Sequence, residues 1–254
     1  FNMTGWNYGY YGMYFYYNQS ANLTVSHEII NNRINNFGYY GIYLYYPQNV
    51  ATAAKVKVYN NIISSNNSGS YTGYYGIYFY SFNAACNADF YHNTILMNGT
   101  QTATTSTCLY NTGSNVVNIK NNIFAVYSGA STPLYLVTSP IANTVNYNNY
   151  YNATGATANL VYRGTFYNNT SFKTATAGGD SSFNTAPSFT SRTATPYANL
   201  SLANGCDGFG TNLTADVPVD YIGVTRNTVT PNPGAYEFTG GSANNLAVQS
   251  LITP

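Results

Sequence analysis

Residues 38–46, Gly-Tyr-Tyr-Gly-Ile-Tyr-Leu-Tyr-Tyr, decide the fold because nearly the same stretch also occurs at residues 9–17 and 73–81. After the second glycine of each copy, apolar residues alternate with tyrosines. Alternation with a period of two is typical of a strand, because successive side chains point to opposite faces. A stretch that recurs along a chain also indicates a repeat architecture. We therefore predict stacked strands with an apolar side and a tyrosine side.

A second landmark follows each tyrosine strand. It is a pair of residues ending in asparagine: Asn31-Asn32, Asn60-Asn61, His92-Asn93, Asn121-Asn122 and Asn148-Asn149. The second members are separated by 29, 32, 29 and 27 residues. Two shortened copies of the tyrosine strand, Cys108-Leu109-Tyr110 and Pro133-Leu134-Tyr135, continue the series. The spacing predicts five turns of a coil.

A strand, a bend, a second strand and a variable loop in one such repeat is the layout of a right-handed parallel β-helix. Its coils stack about 4.8 Å apart, so equivalent residues form ladders. We predict an all-β solenoid of about five clear coils, followed by irregular coils and a C-terminal cap. Residues 1–238 form this unit, with regular coils at 1–151 and irregular coils and the cap at 152–238. Residues 239–254 are expected to be a linker and a possible first strand of a following sandwich module.

The asparagine pairs predict a structural ladder. An asparagine amide can donate to one neighbour and accept from the other, and asparagine tolerates tight bends. The predicted rungs are Asn32, Asn61, Asn93 and Asn122. Asn149 is the fifth candidate, although the hydrophobic spacing before it slips by one residue.

The strand before each asparagine pair carries its own stack. In the same register, Glu28, Lys57 and Asp89 share one position in successive coils. Opposite charges that face each other across a ladder favour pairing of the strands. We interpret these three residues as setting the register.

The composition argues against several classes of function. Charged residues make up only 6% of the chain, against roughly 25% in an ordinary soluble protein; 38 asparagines and 29 tyrosines supply much of the polarity instead. The net charge is +1 without a basic cluster, which argues against a nucleic-acid partner. No apolar run reaches the length of a membrane span. Cys86, Cys108 and Cys206 match no metal motif and are expected to be small buried residues.

The end of the chain carries a recognisable pattern. Residues 220–226, Asp-Tyr-Ile-Gly-Val-Thr-Arg, precede residues 234–237, Gly-Ala-Tyr-Glu. This pattern resembles the closing Asp-x-x-Gly-x-x-Arg…Gly-Ala-Tyr-Glu cap of right-handed parallel β-helix domains, of the pectate-lyase-like superfold, in large secreted bacterial surface proteins. The family's second acidic residue is replaced by Ile222, and we predict no metal there.

The resemblance implies an extracellular, cell-surface location, and the chain is expected to be a segment of a longer secreted polypeptide. It also gives Asp220, Arg226 and Glu237 the role of structural cap residues, with Arg226 and Glu237 pairing to close the last coil. No cofactor is implied.

Many parallel β-helix proteins act on polysaccharides, so an enzyme has to be considered. Their chemistry requires clustered acids, but the only acids in the five clear coils are Glu28 and Asp89. They lie two coils apart, or roughly 10 Å, with Lys57 in the place of an attacking water. No Ser or Cys is placed with His27 or His92 as a nucleophile with its base. We therefore predict no enzymatic activity, and a lyase or hydrolase is the least favoured alternative.

The tyrosine side is the better functional candidate. Stacking the repeats places Tyr14, Tyr43, Tyr78, Tyr110 and Tyr135 in one column and Tyr16, Tyr45 and Tyr80 in another. Tyrosine offers a large contact area with a hydroxyl at low entropic cost. We predict ligand binding at Tyr14, Tyr16, Tyr43, Tyr45, Tyr78, Tyr80 and Tyr110.

Two non-enzymatic functions remain open. In the first, a module of a large surface protein adheres to a polysaccharide, a cell or an abiotic surface through these tyrosines. In the second, the columns only hold the coils in register, or pack against neighbouring copies in an extracellular filament or stalk.

Overall fold

The computed structural model is a parallel β-solenoid, which confirms the predicted all-β class. It describes residues 10–16, 26–45, 55–65, 73–80, 87–98, 106–112, 116–127, 132–137, 144–154, 159–175, 181–192, 199–204 and 206–237, with 199–204 described by their backbone alone. The predicted linker and sandwich strand at residues 239–254 lie outside this set.

Each of the five repeats contributes three strands, where the sequence predicted two. In chain order the elements are β1 (Tyr11–Tyr16), β2 (His27–Ile30), β3 (Arg33–Asn35), β4 (Tyr40–Tyr45), β5 (Lys55–Tyr59), β6 (Ile62–Ser65), β7 (Tyr75–Tyr80), β8 (Asn87–Tyr91), β9 (Thr94–Met97), β10 (Thr107–Thr112), β11 (Val117–Lys120), β12 (Ile123–Val126), β13 (Thr132–Leu136), β14 (Thr144–Asn146), β15 (Asn149–Asn152), β16 (Val161–Arg163), β17 (Phe166–Tyr167), α1 (Asn169–Ala175), β18 (Ser188–Ser191) and β19 (Asn199–Asn204). The third strand of each coil follows the asparagine pair. In the middle coils its residues are buried on both faces, so the sequence shows no alternation there.

Three parallel sheets form the walls of the solenoid. The first has the order β1-β4-β7-β10-β13-β16-β17, the second β14-β11-β8-β5-β2 and the third β15-β12-β9-β6-β3. Every neighbouring pair in them is parallel except β16 and β17. β18 and β19 form a separate antiparallel pair. Residues at equivalent repeat positions therefore stack in register.

One apolar core fills the space between the sheets. In the second coil, Ile42 and Leu44 from the first sheet meet Val58 from the second and Ile63 from the third, and all four are buried. Gly41 lets the first and third sheets approach closely. A Cβ atom at Gly41 would lie 2.8 Å from Ile63 Cγ2, a distance at which something must shift. The second glycine of the repeated stretch is thus required for packing.

The asparagine pairs form the bend between the second and third sheets. The first member of each of the first four pairs has a positive φ, with values of 58° at Asn31, 55° at Asn60, 55° at His92 and 56° at Asn121. Asparagine is among the few residues that adopt this conformation readily.

The second members form the ladder. Asn61 donates through both its backbone N and its Nδ2 to Asn93 Oδ1, at 3.0 Å each. Asn93 contacts Asn122 Oδ1 in the same way, at 2.9 and 3.0 Å, and Asn32 contacts Asn61. The side-chain Nδ2 of Asn93 also donates to Val58 O at 2.7 Å. The interior rungs thus have both amide atoms satisfied.

The fifth rung is Asn148, and Asn149 was the wrong candidate. Asn122 donates to Asn148 Oδ1 at 3.0 and 2.9 Å, while Asn149 pairs with Ile123 as the first residue of β15. The left-handed position falls on Tyr147, with φ 56°. The bend in this coil is displaced by one residue, which is the slip visible in the hydrophobic spacing.

The end of the solenoid is covered by residues 159–175. β17 folds back antiparallel onto β16, so the edge of the first sheet is paired. In α1, Phe172 is fully buried in the main core, 6.3 Å from Tyr150 between ring centroids. Asn168 caps the helix, since its Oδ1 accepts from Ser171 N at 2.7 Å. A hairpin and a short helix therefore act as the end cap.

Residues 206–237, called here the flank segment, lie along the side of the solenoid. Their hydrogen bonds reach four successive coils. Arg226 Nη2 donates to Asn60 Oδ1 at 2.7 Å, Ala235 N to Thr94 Oγ1 at 2.8 Å and Gly234 N to Asn121 O at 2.7 Å, while Cys206 Sγ accepts from Asn149 Nδ2 at 3.2 Å. The prediction that Arg226 and Glu237 close the last coil is therefore wrong, because their segment lies against earlier coils. Apolar side chains on the outer face of the third sheet, such as Ile62 and Leu96, hold the segment there.

Candidate functional site

One outer surface of the solenoid is paved with tyrosines, all on the first sheet. We call this surface the tyrosine face, and its members are Tyr11, Tyr40 and Tyr75 in one column, Tyr14, Tyr43, Tyr78, Tyr110, Tyr135 and Tyr162 in a central column, and Tyr16, Tyr45 and Tyr80 in a third. All seven tyrosines predicted as binding residues lie here, in register. The strand pairing thus brings together residues from six successive tyrosine strands.

Sequence reasoning missed the first column and the last rung of the central one. The first column consists of the tyrosine before the second glycine of each repeated stretch, where simple alternation would point the side chain inward. Instead, Tyr40 stacks on Tyr43 with ring centroids 4.6 Å apart. A Cβ atom on Gly41 would meet Ile63, and Ile42 is buried, so two successive residues face the core and the tyrosines on either side of them both project outward. The three-fold recurrence of this tyrosine was the available signal, whereas Tyr162 stands in a strand of three residues with no glycine motif.

Within the columns the rings stack on one another. Tyr45 lies between Tyr16 and Tyr80, with centroid distances of 5.1 Å on both sides and interplanar angles of 2° and 1°. The central column continues with centroids 4.9 Å apart from Tyr78 to Tyr110 and from Tyr110 to Tyr135. One central step, Tyr43 to Tyr78, is edge-to-face. Because neighbouring rings cover most ring faces, the surface presents mainly ring edges and hydroxyls.

The tyrosines are partly accessible. Tyr14 is 45% exposed and Tyr16 56%, while the central residues Tyr43, Tyr78 and Tyr110 are half-buried. Burial raises the pKa of the Tyr43 and Tyr78 hydroxyls, and neighbouring tyrosines add to the shift. The same causes, with the hydrogen-bonded neighbour Tyr162, raise the pKa of Tyr135 to about 12. At neutral pH the surface is therefore uncharged and able to donate hydrogen bonds.

No charged side chain projects from the tyrosine face in the part of the chain that the structure describes. Arg163 is the one charged residue in the strands β1, β4, β7, β10, β13 and β16, and it pairs with the buried Leu136. The face therefore suits a neutral partner, since approach of a charged group would meet no opposite charge.

The acids predicted at one ladder position do share it, as Glu28 pairs with Lys57 and Lys57 with Asp89 in the strand register. Lys57 Nζ contacts Glu28 Oε1 at 2.9 Å, whereas Asp89 takes Lys55 as its partner, with Nζ to Oδ2 at 2.8 Å. Asn118 Nδ2 donates to the other oxygen of Asp89 at 2.6 Å. Each acid is thus committed to a structural contact.

Other reactive groups are dispersed. His92 is fully buried, and burial together with Arg226 lowers its pKa well below the usual value. Burial raises the pKa of the Cys108 thiol well above its ordinary value and that of Cys206 to about 12, and both are free and buried. Cys86 lies outside the described residues. Over the described ranges, no three His, Cys, Asp or Glu side chains are placed to hold a metal ion.

The predicted cap residues form one buried cluster on the flank segment. Arg226 Nη1 donates to Glu237 Oε2 at 3.2 Å, and both side chains are almost fully buried. Burial lowers the pKa of Arg226 to about 10 and raises that of Glu237, against the opposing effect of their contact. Asp220 accepts from Ile222 N at 2.9 Å and from Glu237 N at 2.8 Å. The cluster fastens the flank segment to itself and to Asn60.

The fold and the site together define a class: a parallel β-solenoid with one tyrosine-paved sheet. Comparison with known proteins finds no matching family model, no matching curated protein and no matching solved structure. No helix within the described residues is both long enough and apolar enough to cross a membrane.

Proposed function

We propose that this chain is a non-enzymatic module of a large extracellular, cell-surface protein, and that it adheres to a polysaccharide or another surface through the tyrosine face. The observation that carries the proposal is the three columns of partly exposed tyrosines on one sheet. A contiguous surface of this kind seldom lacks a partner, because large exposed aromatic patches are rare on monomers.

The chemistry of the tyrosine face favours neutral partners. Its ring edges supply apolar contact and its hydroxyls supply hydrogen bonds at intervals of about one strand spacing, 4.8 Å. Tyrosine is also rigid, so little side-chain entropy is lost on contact. Neutral insoluble polysaccharides such as cellulose and chitin offer hydroxyls and C–H groups in a regular array, and are therefore the first ligands to test.

A depletion assay against cellulose and chitin tests the proposal. We expect the chain to leave solution with at least one of them, and the Tyr43→Thr/Tyr78→Thr variant to remain in solution. Threonine is a strand-forming residue and already occurs on the first sheet, at the position of Thr112 paired with Tyr80. The Tyr147→Asn/Tyr151→Thr variant, which also loses two tyrosines but outside the tyrosine face, is the matched control. Equal binding by both variants would contradict the proposal.

A purely structural role, as a stalk or filament subunit, is the second candidate. The stacking of the rings favours this role, because the faces of each ring contact the neighbouring rings. Each cross-strand aromatic pair contributes roughly 0.2–1 kcal/mol to strand pairing. In this case the Tyr43→Thr/Tyr78→Thr variant would melt at a lower temperature, and the unaltered chain would bind no polysaccharide.

We do not propose a polysaccharide lyase or hydrolase. The two acids of the regular coils, Glu28 and Asp89, each contact a lysine at under 3 Å. A paired carboxylate on an ordered sheet is poorly placed to move protons to and from a substrate.

A further inference from the structure

We infer that the partner of the tyrosine face is the tyrosine face of a second copy of this chain, so that adhesion is homophilic. The inference rests on the proposed function, because it names the partner of that same surface. It starts from the stacking geometry. Rings stacked at 5.1 Å with interplanar angles of 1–2° offer their edges outward, where the rings of a second copy can meet them.

A second copy matches the repeat of the surface at every rung. The outer groups of the central column recur at the strand spacing, from Tyr14 through Tyr43 and Tyr78 to Tyr110. A facing copy has the same spacing, so each rung meets an equivalent rung. Identical ladders that face each other pack in this way in dry interfaces between paired sheets, where stacked aromatics add stability. Edge-to-face contacts are also a favoured arrangement between aromatic rings.

Charge permits the contact between identical faces. Two like surfaces repel when they carry a net charge, but the tyrosine face carries none within the described strands. Tyrosine hydroxyls, whose ordinary pKa is near 10, are neutral over the physiological range, and burial raises the pKa of Tyr43 and Tyr78 further. Lysines and acids are found instead on the second sheet, at Lys55, Lys57 and Asp89. Within the described strands, the tyrosine face can thus meet a copy of itself without repulsion between like charges.

The area is sufficient for a specific interface. The six strands hold 32 residues in all, and at about 3.3 Å per residue and about 4.8 Å between strands they give a footprint of roughly 500 Å². Two copies would bury roughly 1,000 Å², which is about the area that a specific interface requires. A two-fold axis lying in the contact plane closes the assembly at two copies, because each surface is then fully used.

The first test is sedimentation of the unaltered chain over a wide range of concentrations. We expect a reversible equilibrium between monomer and dimer. A single monomeric species at every concentration would overturn the inference. The depletion assay then separates the two proposals. A monomer that binds polysaccharide through the tyrosine face leaves adhesion standing with a glycan partner, whereas a monomer that binds nothing overturns both.

The second test locates the interface with variants that carry opposite charges at Tyr78, the third of the six residues in the central column. Tyr78→Arg and Tyr78→Glu should each weaken self-association at least ~10-fold, because identical charges then face each other. An equimolar mixture of the two should recover the dimer, and this recovery also shows that both variants are folded. Thr144→Arg, on the exposed outer side of the second sheet, is the control and should leave the equilibrium unchanged.

A dimer that survives Tyr78→Arg unchanged would place the contact elsewhere and overturn the inference. If either charged variant fails to fold, as judged by circular dichroism, Tyr43→Thr takes its place. That neutral change removes one ring from the central column between Tyr14 and Tyr78 and should weaken the dimer, whereas an unchanged dimer again argues against the tyrosine face.

Discussion

Asn111 is the clearest misfit of a single residue in the solenoid. It is fully buried and stacks between Phe79 and Leu136, at a position where the other four of the first five coils place apolar side chains. In the part of the chain that the structure describes, neither atom of its amide has a hydrogen-bond partner. A buried amide without partners costs free energy that an apolar side chain of similar size does not.

We therefore predict that Asn111→Leu raises the free energy of unfolding by roughly 1–3 kcal/mol, the desolvation cost of an unpartnered polar group. Chemical denaturation monitored by circular dichroism measures the change. Asn111→Ala is the control, since it removes the amide but leaves a cavity and should gain less. A loss of stability in Asn111→Leu would mean that the amide has a partner in solution.

At the scale of an element, a buried asparagine can instead stabilise the fold. Asn93 is also fully buried, but its amide is satisfied by Asn61, Asn122 and the carbonyl of Val58. The ladder is a continuous structure in which each rung orders the next.

Asn93→Leu should lower the free energy of unfolding by roughly 2–4 kcal/mol, because it leaves the donors of Asn61 and the carbonyl of Val58 without these hydrogen bonds in the interior. The same denaturation experiment measures this change. Asn111→Leu, the same substitution at another buried site, is the variant for comparison. If both variants changed the free energy of unfolding equally and in the same direction, the ladder would have no special role.

The tyrosine columns predict an alkaline limit to stability. Tyrosines of an unfolded chain ionise near pH 10, whereas burial and neighbouring hydroxyls raise the pKa of Tyr135 to about 12 in the fold and raise those of Tyr43 and Tyr78 as well. Above pH 10 the unfolded state therefore binds fewer protons than the folded state, and stability falls as the pH rises. It is fully present below pH 10.

We expect unfolding and tyrosinate absorbance to appear together between about pH 10 and pH 12. Circular dichroism and near-ultraviolet absorbance, recorded on the same samples, measure this. The chain in urea is the control and should titrate near pH 10. Gradual ionisation near pH 10 with the sheet intact would contradict the prediction.

At the scale of the molecule, the flank segment ties several coils together, and one buried cation holds the segment to itself and to the second coil. Arg226 is fully enclosed and contacts Glu237, Asn60 and two carbonyls, those of Asn232 and Gly234. Removing one partner of a buried ion pair is costly because the other charge remains in the interior.

Arg226→Leu should lower the free energy of unfolding by roughly 3–5 kcal/mol and open the flank segment to proteases before the solenoid unfolds. Limited proteolysis with mass spectrometry would locate the first cuts, which we expect within residues 206–237. Arg192→Leu is the control, since Arg192 is exposed and lies over the ring of Tyr127 at 4.0 Å. First cuts in the loops between coils would contradict the prediction.

The sequence predicted those features that repeat along the chain. The central and third tyrosine columns and the shared position of Glu28, Lys57 and Asp89 follow from the period, because equivalent residues of stacked strands must lie side by side. Asn148 was missed because one residue is displaced in a single coil. The end cap at residues 159–175 and the path of the flank segment occur once, so no period marks them, and tertiary packing alone decides where they lie.

The flank segment also has a bearing on how such a chain can evolve. Duplication of a coil would add one rung to every ladder and lengthen the tyrosine face by about 4.8 Å, without any new kind of contact. However, residues 206–237 are fastened to Asn60, Thr94 and Asn121 at fixed separations. An inserted coil between these anchors would pull them apart, whereas one added before the second coil would not. The segment therefore fixes the number of coils between its anchors, and added coils are accommodated only outside them.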